Sequence, residues 1–232
     1  MKILGLIPAR GGSKGIPNKN KKLLNGKPLL QYTIEAAKAA RYLDRVVFSS
    51  EDKALNELAK KLGVEVPFIR PGHLSLDTTG TLEVIQHAID TLSRVGDEYD
   101  AVCLLQVTSP LRTNKFIDEA LQRFIKYQPD SLLSVLPVPP EYNPHWVYEK
   151  NKLGYLQIAT GEKQIIKRRQ DLPRAYHRDG AIYITRTKVL MQENSMYGST
   201  IQFIESDVNR HVNIDTIKDW KRAEDMVLNL GY

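Results

Sequence analysis

The chain has 232 residues, 42% of them apolar and 26% charged, with Cys103 the single cysteine, which excludes a disulfide-built miniprotein, a thiolate metal centre and a disordered polyelectrolyte. The apolar start Ile3–Ala9 is broken by Pro8 and runs into Arg10, so neither a secretory leader nor a membrane span is read there, and the expected location is the cytoplasm. The net charge of +6 is local: residues 1–45 carry ten Lys/Arg against Glu35 and Asp44, whereas the rest carry 23 against 25, a pattern that suits one anionic ligand better than a nucleic-acid face.

Ile3 to Ile7 reads as a buried parallel strand that ends in Pro8 and opens a glycine-bearing loop holding the charges. Leu29, Leu30, Ile34, Ala37 and Ala40 share one helical face, and Val46 to Ser49 is strand-like again. Ser49 or Ser50 is the expected cap of a helix carrying Leu55, Leu58, Ala59 and Leu62, which Gly63 stops. Val64 to Ile69 is read as a third strand, Leu82, Ile85, Ile89 and Leu92 as a helix, and Ala101 to Val107 as a fourth strand. Thr113 or Asn114 opens a helix through Phe116, Ala120, Leu121 and Phe124, followed by a strand from Ser131 to Val138.

This alternation predicts an α/β fold, a doubly wound and mostly parallel sheet. It fails from Pro137 to Arg178, where prolines, Trp146, Tyr148, Gly-centred hairpin-like pieces and a basic cluster replace any helical period. We read residues 137–178 as an insertion in a single domain spanning 1–232. Gly180 to Thr185 and Ile201 to Ile204 return to the sheet, and Thr216 with Asp219 forms a capping box for a last helix through Trp220, Ala223 and Val227.

The strongest chemical signal is Pro8-Ala9-Arg10-Gly11-Gly12-Ser13-Lys14-Gly15-Ile16-Pro17-Asn18-Lys19-Asn20, directly after the first strand. Glycines let backbone N–H groups approach an oxyanion, and Arg10, Lys14 and Lys19 spread positive charge around a polyphosphate. It is neither a Walker loop nor G-x-G-x-x-G. A glycine turn after a first strand is often only structural; three cations at the carboxyl edge of a sheet shift the reading to ligand binding. The histidines show no metal spacing, and Cys103 reads as inert core.

With this turn, Arg70-Pro71 and Asp77-Thr78, Gln106-Val107-Thr108-Ser109-Pro110-Leu111-Arg112, Arg169-Gln170-Asp171-Leu172-Pro173, Gly180-Ala181-Ile182-Tyr183-Ile184 and Asn213-Ile214-Asp215-Thr216 occur in an order and spacing that resemble the acylneuraminate cytidylyltransferases, or CMP-sialic acid synthetases. The resemblance spans nearly the whole chain. It implies a Rossmann-like nucleotidyltransferase that moves CMP from CTP to the anomeric hydroxyl of a nine-carbon keto sugar acid and releases pyrophosphate.

By that resemblance Lys19, Arg10 and Asp215 are catalytic, Lys19 steadying the α-phosphate, while Gly11, Gly12, Ser13, Lys14 and Asn20 bind the nucleotide. Arg70 and Thr81 hold its cytosine and ribose end. Gln106, Arg169 and Tyr183 meet the sugar acid. Asp215 is the candidate Mg2+ ligand. Where family members commonly pair two aspartates this chain has Asn213, which binds through its amide oxygen or a water, or Asp207 helps. Asp179 is a second departure, since the family commonly has Asn there; its charge is expected to pair with Arg178. The 137–178 segment corresponds to an arm exchanged between the subunits of a homodimer, with Trp146, Val147 and Tyr148 as apolar anchors.

No nucleic-acid or membrane partner is expected. The departures at Asn213 and Asp179 favour a bacterial acid such as legionaminate over N-acetylneuraminate, with pseudaminate also in range. The rival readings are a cytidylyltransferase for an eight-carbon keto acid and a nucleotide-binding module without catalysis. An RNA-binding protein ranks third, because aromatic platforms are lacking among the first cations.

Overall fold

The computed structural model describes residues 1–231. In chain order its elements are β1 (Ile3–Pro8), β2 (Leu23–Leu24), β3 (Lys27–Pro28), α1 (Leu29–Lys38), β4 (Arg45–Ser49), α2 (Lys53–Lys61), α3 (Thr81–Ser93), β5 (Ala101–Leu104), α4 (Asn114–Tyr127), β6 (Ser131–Pro137), β7 (Tyr148–Lys150), β8 (Leu156–Ile158), β9 (Tyr176–Arg186), α5 (Thr187–Gln192), β10 (Ile201–Glu205) and α6 (Ile217–Asn229). Six strands form the main sheet in the order β10-β6-β9-β5-β1-β4.

The strand period of two sorts the core. Ile3 and Ile7 of β1 and Cys103 of β5 face α1, α2, α4 and α6, where Leu30, Ile34, Leu55, Phe124 and Trp220 are buried. Leu4, Leu6, Val102 and Leu104 point the other way, onto Ile85, Ala88 and Leu92 of α3 and Leu190 of α5. A sheet covered on both faces explains why β1 reads as an unbroken apolar run. Burial pushes the Cys103 thiol up to about 12, so it stays protonated.

Within the main sheet β9 alone runs antiparallel, to both β5 and β6. The reason is the excursion that precedes it: Pro137 at the end of β6 pairs with Tyr176 at the start of β9, and the Val138 N–H donates to the Ala175 carbonyl at 2.9 Å. The chain leaves and re-enters at one sheet edge without a crossover helix, so the returning strand must reverse. Within the excursion, β7 and β8 form a small antiparallel hairpin.

Several sequence expectations need correction. The cap of α2 is Asp52, whose carboxylate accepts the Leu55 N–H at 3.0 Å, while Ser49 and Ser50 are buried behind it. The segment Val64–Ile69 forms no strand beyond one Val47–Glu65 bridge, because Pro67 has no N–H to continue a ladder. β5 ends at Leu104 rather than Val107, β9 is longer than Gly180–Thr185, and α5, only six residues long, carries too little period to be read. The Thr216/Asp219 capping box forms as expected.

Candidate active site

The glycine turn is held from all sides. The Arg10 carbonyl accepts Asn20 Nδ2 at 3.0 Å, the Ala9 carbonyl accepts Arg70 Nη2 at 2.9 Å, and the Gly11 N–H donates to Glu51 Oε1 at 2.8 Å. Gly11 and Gly15 are needed for close approach, not for unusual torsions: a Cβ on Gly11 would overlap the Asp52 carboxylate, and one on Gly15 the Asp215 carbonyl oxygen. Gly12 faces open space. The last of these contacts brings the end of the chain against the first loop, and Lys19 completes it. Its Nζ donates to the Ile214 carbonyl at 2.6 Å and to Asp215 Oδ1 at 3.1 Å, while Asn213 Nδ2 donates to Asp215 Oδ2 at 2.8 Å.

These groups border a cleft of roughly 400 Å³ at the carboxyl edge of the sheet, where Arg10, Ser13, Lys14, Lys19, Asn20, Arg70, Thr81, Gln106 and Asp215 converge. An open α/β sheet binds ligands at this edge. Two of its cations share one internal anion: Arg10 Nη1 lies 2.7 Å from Asp77, and Lys14 also pairs with that carboxylate. Hydrogen bonds from Lys14 and then Arg10 hold the Asp77 carboxyl below its usual range. Arg70, 4% exposed, spends its guanidinium on Ala9, Ser75 Oγ and Glu51 Oε2 and so shapes the wall.

The cleft does not include Arg169 or Tyr183. Arg169 lies in the excursion after β6 and lines a separate cavity with Pro137, Arg174 and Glu205. Tyr183 is buried in β9 on the α3 face, its phenol pushed up by burial and partly restored by the neighbouring Arg178. Asp207 does not join Asp215 either; it accepts the Asn209 N–H at 2.9 Å and borders another cavity with Arg112 and His211. Nor does Asp179 pair with Arg178, which donates to the Tyr197 hydroxyl at 2.9 Å. Among the described residues no three His, Cys, Asp or Glu side chains gather as a metal site.

The sequence profile of the cytidylyltransferases matches residues 4–228. The chain belongs to the cytidylyltransferase family. A pseudaminic acid cytidylyltransferase of Campylobacter jejuni is 36% identical over 97% of this chain and 95% of its own length. A CMP-N,N'-diacetyllegionaminic acid synthase of Legionella pneumophila is 31% identical over 98% of this chain and 97% of its own. Among solved structures, a CMP:2-keto-3-deoxy-manno-octonic acid synthetase complexed with CTP superposes with a TM-score of 0.75 at 16% identity, covering 99% of this chain and 100% of its own, a likeness of fold.

Sequence reasoning about this cytidylyltransferase missed Glu51. Burial pushes its carboxyl up, but hydrogen bonds from the Gly11 N–H, its own backbone, Arg70 and Ser75 outweigh burial and hold it below its usual value. Glu51 thus ties the glycine turn to the Arg70 wall. The available signal was its place, two residues past the carboxyl end of β4.

Proposed function

We propose that this cytidylyltransferase transfers CMP from CTP to the anomeric hydroxyl of a nine-carbon keto sugar acid and releases pyrophosphate. The observation that carries the reading is the cleft at the sheet edge, which Arg10, Lys14 and Lys19 of the glycine turn line together. The sugar oxygen attacks the α-phosphorus, the bond from that phosphorus to the bridging oxygen of pyrophosphate breaks, and the hydroxyl proton leaves to solvent. Such a transfer needs alignment and charge neutralisation rather than a covalent enzyme intermediate. Lys19 is the cation for the α-phosphoryl oxygens, already oriented by Ile214 and Asp215. Arg10 and Lys14 receive the outer phosphates, which take the place of the Asp77 carboxylate. Gln106, which also lines the cleft, contacts the sugar acid.

Asp215 fits a divalent cation. Its exposed carboxylate and the Asn213 amide oxygen are hard donors, and Mg2+ takes few protein ligands where phosphates and waters complete its shell. Bound there, Mg2+ would neutralise charge on the triphosphate. Exposed Tyr142, Tyr148, Leu153, Tyr155 and Leu156 on the 137–178 excursion support its reading as an arm that seats on a second copy and brings Arg169 to that copy's sugar site. Trp146 instead folds back, its Nε1 donating to the Ile166 carbonyl at 2.6 Å. The cytoplasm remains the proposed location.

Pseudaminate and legionaminate, each named for a relative, are the first acids to try. The test is pyrophosphate release from CTP and Mg2+ with pseudaminate, legionaminate, N-acetylneuraminate and an eight-carbon keto acid. Turnover is expected with a nine-carbon acid and about 100-fold less with the eight-carbon one, since missing contacts in a polar pocket discriminate strongly. Turnover with the eight-carbon acid alone, or with none, would reject the proposal.

A further inference from the structure

Strand β9 leaves its ladder at the edge of the cleft. On β6, Leu133 pairs with Tyr183 and Val135 with Arg178, so Ser134 alone faces residues 179–182. A bulge of this size re-aims backbone and side chains and needs its own hydrogen bonds. Ser134 supplies the first: its Oγ accepts the Ile182 N–H at 2.7 Å and donates to Asp179 Oδ1 at 2.5 Å.

Two buried charges supply the rest. The Asp179 carboxylate, with 0% side-chain exposure, also accepts the Ala181 N–H at 2.9 Å and the Ser206 hydroxyl, and stands 3.7 Å from His211 Nδ1. The Arg112 guanidinium, 6% exposed as a residue, donates to the Ala181 carbonyl at 2.5 Å, to Thr33 Oγ1 at 3.1 Å and to the Gln106 carbonyl at 3.3 Å. Ala181 is therefore gripped at both backbone poles. Gly180, just before it, adopts a φ of +84°, and a Cβ there would stand 3.2 Å from Gln106 Oε1. Buried charges are a poor source of stability against apolar replacements, so their concentration beside one cleft residue points to placement.

We infer that Asp179 and Arg112 are positioning residues for Gln106, pinning the β9 bulge so that Gly180 walls the Gln106 amide into the cleft. The inference rests on the reading that Gln106 contacts the sugar acid. In that role neither charge touches substrate, and each acts through the Gln106 backbone or the Gly180–Ala181 peptide.

Steady-state kinetics on the full-length protein, with CTP and the acid varied separately, test it in Gln106→Ala, Asp179→Ala, Asp179→Asn, Gly180→Ala and the Asp179→Ala/Gln106→Ala pair. Loss of one substrate hydrogen bond in Gln106→Ala raises KM for the acid about 10-fold and leaves KM for CTP within about 2-fold. Asp179→Ala does the same. Asp179→Asn keeps an acceptor for Ser134 and Ala181 and gains a donor for Ser206, so it returns to within about 3-fold of the parent. The double variant is no worse than Gln106→Ala, because both remove one interaction. If Asp179→Ala fails to fold, Gly180→Ala, which strains the +84° backbone of the bulge and crowds Gln106 while leaving the Asp179 and Arg112 side chains in place, must raise the acid KM alone. Equal loss for both substrates, additive effects, or no rescue by Asn would overturn the inference while Gln106 kept its role. An unchanged acid KM in Gln106→Ala would remove Gln106 from the sugar site and the inference with it.

Discussion

The two basic clusters of this chain look alike in sequence and part company in space. Arg10, Lys14 and Lys19 lie on a turn anchored through Ala9, Arg10 and Gly11, and Lys19 keeps only 12% side-chain exposure between Ile214 and Asp215. Of the cluster from Lys163 to Arg178, only Arg178 stands in the sheet, on β9; the others lie on exposed chain before it, where Arg168 pairs with Asp171 three residues on and Arg169 faces a cavity away from the cleft. Charge density alone does not mark a site. What marks it is a cation whose direction is set by buried neighbours, because only such a group meets a phosphate without first losing conformational freedom.

The largest test of that contrast is Lys19→Ala, expected to cut pyrophosphate release from CTP by at least about 100-fold with a thermal midpoint close to the parent's; near-normal turnover would remove the oriented cation from the chemistry. Arg169→Ala follows, with KM for the sugar acid up about 10-fold and KM for CTP unchanged if the proposed arm brings it to the sugar site of a second copy. Dilution of the enzyme below its dimerisation constant should reproduce that effect, and an acid KM indifferent to both would make the second cluster a solvated surface.

The smallest effect concerns the clamp on the turn. Glu51→Gln is expected to cost about 1–2 kcal/mol of unfolding free energy at neutral pH, the scale of charge-assisted hydrogen bonds. The folded Glu51 carboxyl titrates below its ordinary value of 4.5, so its stabilisation is present above that pH and lost as pH falls through the folded pKa. Urea midpoints of the two proteins should therefore converge in acid; a constant gap would assign Glu51 no electrostatic part.

The doubly wound core was legible because β1 and β5 are short unbroken apolar runs and the helices on either face keep a 3.6-residue period. The expected cap at Ser49 or Ser50 failed because both serines are buried beneath Asp52, a choice made by packing. The glycine turn was legible through its cations. Glu51 was not, since its partners Gly11, Arg70 and Ser75 come from separate segments and no spacing announces them.

From residue order alone followed the layered sheet, the family and the cationic glycine turn, all properties of contiguous segments whose signals are local. Tertiary structure decided which carboxylate each cation faces, that Asp179 is buried away from Arg178, and that Arg169 and Tyr183 stand apart from the cleft. Those outcomes depend on which strand ends meet at one edge, and that juxtaposition exists only once residues nearly 200 positions apart, such as Lys19 and Asp215, have been brought together by burial of the core between them.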